Sequence, residues 1–219
     1  VVDFCLLWSN ELGERVMSLP NKLTVMRICL VPFMMFFYLL DFIPYGIGKI
    51  VALVIFIVAA LTDLLDGKIA RSRNLVTNFG KFLDPIADKI LTSTVFFMII
   101  ADGTIPNPWG AIIVTIIIAR EFMVSALRLL AANRGVVLAA DIWGKAKTMV
   151  QMIALPVSIL LAFIYTSGIS FNGTFVFVFE IVTYVMLGVA TLLTVISGIN
   201  YLVKNKDCLK EDKHTEENN

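Results

Sequence analysis

Long apolar stretches alternate with short polar breaks over most of this chain. A helix that spans a bilayer needs about 20 mostly apolar residues, and six stretches approach that length. They are Leu23–Leu40, Ile50–Leu65, Pro85–Ala101, Trp109–Leu130, Thr148–Tyr165 and Phe175–Leu202. Several of the breaks are rich in glycine, proline and asparagine, which favour turns. The pattern predicts an all-α polytopic membrane protein, a bundle of six transmembrane helices.

Composition agrees with that pattern. Hydrophobic residues make up 58% of the chain and charged residues 16%, whereas a soluble domain is about half apolar and about a quarter charged. This excludes an ordinary soluble domain, and we expect bilayer lipids rather than nucleic acid as partners. The three cysteines, Cys5, Cys29 and Cys208, have no paired spacing. They therefore predict neither a disulfide framework nor a zinc site.

The distribution of lysine and arginine predicts the orientation of the bundle. With six spans, nearly all of them fall on one side, which receives the N-terminal segment, alternate loops and the C-terminal tail. The other side receives Lys49 alone. Since cytosolic loops carry the excess of positive residues, we expect both termini in the cytosol. Residues 1–18 are interpreted as a juxtamembrane segment or an over-extended reading frame, 19–203 as the bundle and 204–219 as a polar, disordered tail.

Four aspartates lie in the break between the second and third spans. Asp63 and Asp66 are three residues apart and close the second span, while Asp84 and Asp88 are four apart and open the third. Each spacing places both carboxylates on one helix face, and the short loop makes the two helix ends neighbours. Carboxylates this close repel one another unless a cation joins them. Hard oxygen ligands suit Mg²⁺ or Mn²⁺, and four carboxylates predict two ions.

The residues beside these acids fit a diphosphate. Gly67 lets a ligand approach the backbone closely, Arg71 supplies a fork for phosphate oxygens, and Thr77 offers a hydroxyl. Asp84-Pro85 predicts the start of a helix, with aspartate as the cap and proline in the first position.

The spacing Asp-x2-Asp-Gly-x2-Ala-Arg-x8-Gly-x3-Asp-x3-Asp resembles the full signature of the CDP-alcohol phosphatidyltransferases. It is carried by Asp63, Asp66, Gly67, Ala70, Arg71, Gly80, Asp84 and Asp88. The resemblance implies a membrane enzyme in which an alcohol displaces CMP from a CDP-linked lipid. It implies that Asp63, Asp66 and Asp84 bind metal, that Asp88 is both ligand and catalytic base, and that Gly67, Arg71 and Thr77 contact the CDP group.

Two basic clusters bear on the alcohol. Arg120 and Arg128 lie in the fourth span, and Lys145 and Lys147 open the fifth. Arginine and lysine together suit a phosphate, so these four predict an anionic acceptor. Two alternatives stay open: Arg120 and Glu121 as a structural ion pair, and the two lysines as ordinary anchors at the membrane surface.

Further segments are similar to the bacterial phosphatidylglycerophosphate synthases of the same family. These segments are Ala-Arg-Glu-Phe, Gly-Lys-x-Lys-Thr and the opening Leu-Pro-Asn-Lys-Leu-Thr-Val-Met-Arg. The resemblance implies that sn-glycerol 3-phosphate is the acceptor and CDP-diacylglycerol the donor, in a bacterial cytoplasmic membrane with the site facing the cytosol. It also places Asn21, Thr24 and Arg27 close enough to help hold the CDP-lipid.

Three rival interpretations remain at this point. The acceptor could be phosphatidylglycerol, which would yield cardiolipin, or inositol phosphate. A different class of protein, a divalent-cation transporter, would use the aspartates as a transit site.

A homodimer is also expected, because Gly188 and Ser197-Gly198 in the last span allow close approach of a second helix.

Overall fold

The computed structural model describes residues 19–40, 44–72, 78–133 and 142–204. Side chains are described for 23–40, 44–63, 83–129, 131 and 142–204. Regular secondary structure within these ranges is entirely α-helical. The helices are α1 (Leu19–Leu39), α2 (Ile47–Ser72), α3 (Asn78–Ala101), α4 (Trp109–Asn133), α5 (Ile142–Thr166) and α6 (Gly173–Lys204).

The helices that flank the aspartates extend further than the apolar pattern predicted. Helix α2 continues to Ser72, and α3 begins at Asn78. The prediction that Asp84 caps α3 is therefore wrong, since Asp84 and Pro85 both lie inside that helix. Proline removes one backbone donor and crowds the carbonyl four residues earlier, and helices in membrane bundles tolerate this.

Three helices are long and apolar enough to cross a membrane, within the part of the chain that is described. Their stretches are Trp109–Leu129, Ile142–Thr166 and Gly173–Lys204, and Leu23–Leu39 is a shorter apolar helix. The chain is thus an integral membrane protein. Among the described residues, α2 and α3 provide no stretch of this kind, and both helices carry charged residues of the aspartate region.

The described residues form two compact units. The first holds the described residues up to Ala111 together with Leu155–Thr183. In it, α1 packs against both α2 and α3. The approach of α1 and α2 is so close that a Cβ at Gly48 would collide with the backbone carbonyl of Phe37. The second unit holds Ile112–Ala154 and the described residues from Tyr184 onward.

A buried polar cluster joins α1, α2 and the end of α3 in the first unit. One carboxylate oxygen of Asp102 accepts hydrogen bonds from the Tyr38 hydroxyl (2.7 Å) and the Lys49 ammonium (2.8 Å). The other accepts from the Thr104 backbone N–H (3.0 Å) and hydroxyl (2.6 Å). Lys49 is 4% exposed, so the charge predicted to lie alone on its side of the membrane is paired. The cluster fixes three helices at the opposite end from the aspartates.

One cysteine departs from expectation. Cys29 in α1 is disulfide-bonded. The spacing of the cysteines indicated no disulfide framework and gave no sign of this bridge, because a bridge depends on which positions the fold brings together and not on regular spacing.

Candidate active site

One turn of α1 contacts two of the predicted metal ligands. The Thr24 hydroxyl donates a hydrogen bond of 2.5 Å to a carboxylate oxygen of Asp84. Three residues later, the Arg27 guanidinium forms an ion pair of 2.7 Å with Asp63. Asp63 lies on α2 and Asp84 on α3, and residues three apart share a helix face. The fold therefore brings the two carboxylates together on α1.

Burial differs sharply across these contacts. Thr24 and Arg27 are each 1% exposed, whereas the Asp63 side chain is 39% exposed and Asp84 is exposed as well. A buried guanidinium needs a compensating anion, and Asp63 provides it. Because the carboxylates remain accessible, they can still accept a further cationic ligand.

Asp88 follows Asp84 by one turn of α3 and is half-buried. Its backbone carbonyl accepts a hydrogen bond from the Thr92 hydroxyl at 3.0 Å, within the helix. The position agrees with the predicted face, since α3 is continuous through both aspartates.

The remaining predicted ligands of the first unit lie outside the described side chains. Asn21 belongs to α1, and Asp66, Gly67 and Arg71 to α2, while Thr77 lies outside the described residues altogether. Among described side chains, no three histidine, cysteine, aspartate or glutamate residues form a metal-binding group. Because Asp66 is not among them, the set of four carboxylates stays a prediction.

The second unit contains the predicted acceptor cluster. Arg120 donates a hydrogen bond of 2.6 Å to the Ser197 hydroxyl of α6. Glu121, the next residue of α4, forms an ion pair with Lys147 of α5. Successive side chains on a helix point about 100° apart, so Arg120 and Glu121 reach different helices. Glu121 thus pairs with Lys147, and it also interacts electrostatically with Arg120.

Lys145 and Lys147 differ in burial. Lys147 is 2% exposed and Lys145 is exposed, as expected for residues two apart on one helix. Lys147 is not a surface anchor, so that alternative is wrong for Lys147, while Lys145 fits it.

Arg128 borders the same region of α4. Its guanidinium lies 5.6 Å from the ring centroid of Tyr201, a cation–π contact. Tyr201 packs with Val124 and Leu127 in the core of this unit. Arg128 itself is exposed, so its outer nitrogens remain accessible.

The pair Ser197-Gly198, predicted as part of a dimer face, contacts Arg120 of the same chain. A Cβ at Gly198 would lie 2.9 Å from the Arg120 Cγ, so glycine makes room for the arginine stem. Sequence pattern alone did not indicate Ser197 and Gly198 as contacts of Arg120, or Lys147 as the ion-pair partner of Glu121. The signal for the first contact was the small pair Ser197-Gly198, which was interpreted as a dimer face.

Comparison with known proteins places these residues in a family. Residues 17–196 match the family described as CDP-alcohol phosphatidyltransferase. A Bacillus subtilis protein named CDP-diacylglycerol--glycerol-3-phosphate 3-phosphatidyltransferase is 39% identical over 204 residues, covering 88% of this chain and 97% of the relative. Proteins of the same name from Rickettsia bellii and Haemophilus influenzae are 35% and 34% identical, covering 88% and 89% of this chain and 96% and 97% of the relatives.

The match spans both units described above, including the aspartates of α2 and α3 and the basic residues of α4 and α5. Because the matched family and the named relatives are phosphatidyltransferases, the comparison favours catalysis over cation transport. The chain belongs to the CDP-alcohol phosphatidyltransferase family and is an enzyme of that class.

Proposed function

We propose that this enzyme transfers the phosphatidyl group of CDP-diacylglycerol to sn-glycerol 3-phosphate, giving phosphatidylglycerophosphate and CMP. The names of its relatives support both substrates. The observation that carries the chemistry is the convergence of Asp63 and Asp84 on one turn of α1. Two carboxylates from separate helices at one accessible position suit a site for a metal and a diphosphate.

The CDP-alcohol phosphatidyltransferase family is generally dependent on divalent metal. Here Asp63 and Asp84 offer hard oxygen donors that remain exposed to a ligand, which fits Mg²⁺ or Mn²⁺. We propose that Asp63, Asp66, Asp84 and Asp88 hold two such ions. When bound, the ions would neutralise the diphosphate and the charge that develops on the leaving CMP.

Thr24 and Arg27 have a positioning role in this proposal. Their contacts hold the carboxylates of Asp84 and Asp63 in fixed directions before substrate binds, and such preorganisation avoids rearrangement during the reaction. The CDP group is assigned to the same end of the helices. Its proposed contacts are Asn21, Thr24, Arg27, Gly67, Arg71 and Thr77.

Asp88 is proposed as the base. It takes the proton of the acceptor hydroxyl as that oxygen forms a bond to the phosphorus carrying diacylglycerol. The bond from this phosphorus to the oxygen of CMP then breaks, and CMP leaves with the electron pair. A positioned base accelerates such a step by about a hundredfold or more. Asp88 is half-buried, which restricts the directions its carboxylate can take.

The acceptor phosphate is assigned to the second unit. Arg128 is exposed beside Tyr201, and Arg120 and Lys147 are held by Ser197 and Glu121. Preorganised cations bind phosphate with less loss of side-chain freedom. Lys145, which is exposed, is kept in the proposal as a further positive charge.

We further propose six membrane spans with both termini and the site at the cytosolic face of a bacterial cytoplasmic membrane. The lysine and arginine distribution supports this orientation. A homodimer is also proposed, with Gly188 as a contact point, since no described atom lies within 4 Å of a Cβ built there.

The test uses the full chain purified in detergent with CDP-diacylglycerol and Mg²⁺ or Mn²⁺. Glycerol 3-phosphate, inositol phosphate and phosphatidylglycerol are supplied separately, and CMP and the lipid product are measured. CMP release with glycerol 3-phosphate alone supports the proposal, and release only with another acceptor rejects it. Asp88→Asn is expected to abolish turnover and retain CDP-diacylglycerol binding, and near-normal turnover would remove Asp88 as the base.

A further inference from the structure

Two consecutive residues of α4 form polar contacts with two different helices in the second unit. Arg120 reaches Ser197 of α6, and Glu121 reaches Lys147 of α5. Gly144 lies near the start of α5 and close to Ser197. A Cβ built at Gly144 would lie 3.5 Å from the Ser197 hydroxyl oxygen. The three helices therefore meet around one small group of polar side chains.

The burial of the Glu121–Lys147 pair argues for a role beyond stability. The Lys147 side chain is 2% exposed and that of Glu121 is 21% exposed. Desolvation of such charges often cancels their attraction, so a buried ion pair is weak evidence for a gain in stability. The Glu121 carboxylate instead compensates the charge of the buried ammonium and fixes its position.

The position of Glu121 on α4 directs Lys147 toward the other cations. Glu121 and Arg128 are seven residues apart, close to two full turns, and so lie on nearly the same helix face. Arg120 interacts electrostatically with both Glu121 and Arg128. Through its bond to Glu121, the Lys147 ammonium is brought to the face of α4 that carries Arg128.

The charges of this group match a phosphate monoester. Apart from the exposed Lys145, Arg120, Arg128 and Lys147 contribute three positive charges and Glu121 one negative charge, which leaves a net charge of two. A phosphate monoester carries a charge of about −1.5 to −2 at neutral pH, and a phosphodiester carries only one negative charge. The carboxylate therefore sets the charge of the group as well as the direction of Lys147.

We infer that Glu121 is a positioning and specificity residue, which holds the Lys147 ammonium where it binds the phosphate monoester of the acceptor. This inference rests on the proposed function, because it assumes an acceptor with such a phosphate. Glu121 acts through Lys147, without touching the substrate itself.

The test is a double-mutant cycle in the full chain, with Glu121→Gln, Lys147→Gln and the double variant. Glu121→Gln is expected to raise the KM for glycerol 3-phosphate at least tenfold and to change the KM for CDP-diacylglycerol less than twofold. In the Lys147→Gln background the same substitution should change kcat/KM for glycerol 3-phosphate less than twofold. A residue that acts only through Lys147 has nothing left to position there.

A purely structural pair gives a different result. Glu121→Gln would then affect both KM values equally or leave them unchanged, and either outcome overturns the inference. An effect of equal size with and without Lys147 also overturns it. If Glu121→Gln does not fold, Glu121→Asp replaces it, since aspartate keeps the charge and withdraws the carboxylate by one methylene. A KM for glycerol 3-phosphate unchanged in that variant contradicts the inference.

The wild-type enzyme separates failure of this inference from failure of the proposed function. If the wild type releases CMP only with inositol phosphate, the proposed acceptor is wrong, and the cycle is repeated with that monoester. If it uses only phosphatidylglycerol, a diester, both fail. If glycerol 3-phosphate is the acceptor but Glu121→Gln does not change the KM for it, only the inference about Glu121 fails and the proposed function stands.

Discussion

Replacement of Thr24 by valine tests whether α1 positions the catalytic carboxylates. Valine has nearly the shape of threonine, and Thr24 is 1% exposed, so the change removes the hydroxyl without opening a cavity. The lost bond is the 2.5 Å contact to Asp84. A hydrogen bond to a charged group contributes about 1.5–3 kcal/mol. Since each 1.36 kcal/mol corresponds to about tenfold in rate, kcat/KM for CDP-diacylglycerol should fall about ten- to a hundredfold.

The lower end of that range is expected, because Asp84 is exposed and water can replace part of the lost bond. The assay is CMP release in detergent at saturating glycerol 3-phosphate, with the KM for that acceptor expected to stay within twofold. Thr183→Val is the matched control. Thr183 is also fully buried in the first unit, and its hydroxyl donates a hydrogen bond of 2.8 Å to the Phe179 carbonyl of its own helix. Equal activities of the two variants would refute the positioning role of Thr24.

Three further predictions concern Asp102, Gly198 and the proposed metal ions. Asp102→Ala leaves the Lys49 ammonium, 4% exposed, without its carboxylate, and should destabilise the protein by about 3–5 kcal/mol. Thermal unfolding in detergent measures this, and an unchanged Tm would contradict the cluster's role. Gly198→Ala places a Cβ 2.9 Å from the Arg120 Cγ and should raise the KM for glycerol 3-phosphate roughly threefold or more. Gly188→Ala, where no described atom lies within 4 Å, should leave that KM unchanged, and equal effects would argue against the contact. Removal of divalent metal with EDTA should abolish CMP release and added Mg²⁺ or Mn²⁺ should restore it, whereas activity that survives chelation would exclude the proposed ions.

Part of the fold and of the site could be predicted from local pattern. The helical class, the positions of the apolar stretches and the family signature all follow from spacing along the chain. Asp63 and Asp84 could be assigned to two adjoining helices because helix periodicity acts over a few residues. The boundary at Asp84-Pro85 was predicted wrongly for a related reason. A local helix-start signal does not reveal that α3 already begins at Asn78.

Contacts between distant helices could not be predicted in this way. Thr24 and Arg27 were assigned to the lipid from resemblance, but the structure shows that they contact carboxylates 60 and 36 residues away along the chain. Lys147, the ion-pair partner of Glu121, lies 26 residues away on α5. Spacing states which face of a helix a residue occupies and does not state what packs against that face.

The amino-acid sequence by itself determined the helical membrane class, the family and the candidate chemistry. These depend on composition and short-range periodicity, which every segment carries within itself. Only the tertiary structure decided which buried charge meets which partner: Arg27 with Asp63, Lys49 with Asp102, and Lys147 with Glu121. The physical reason is that a buried charge must be compensated by whichever group the packed helices bring within a few ångströms, and that neighbour is set by long-range packing.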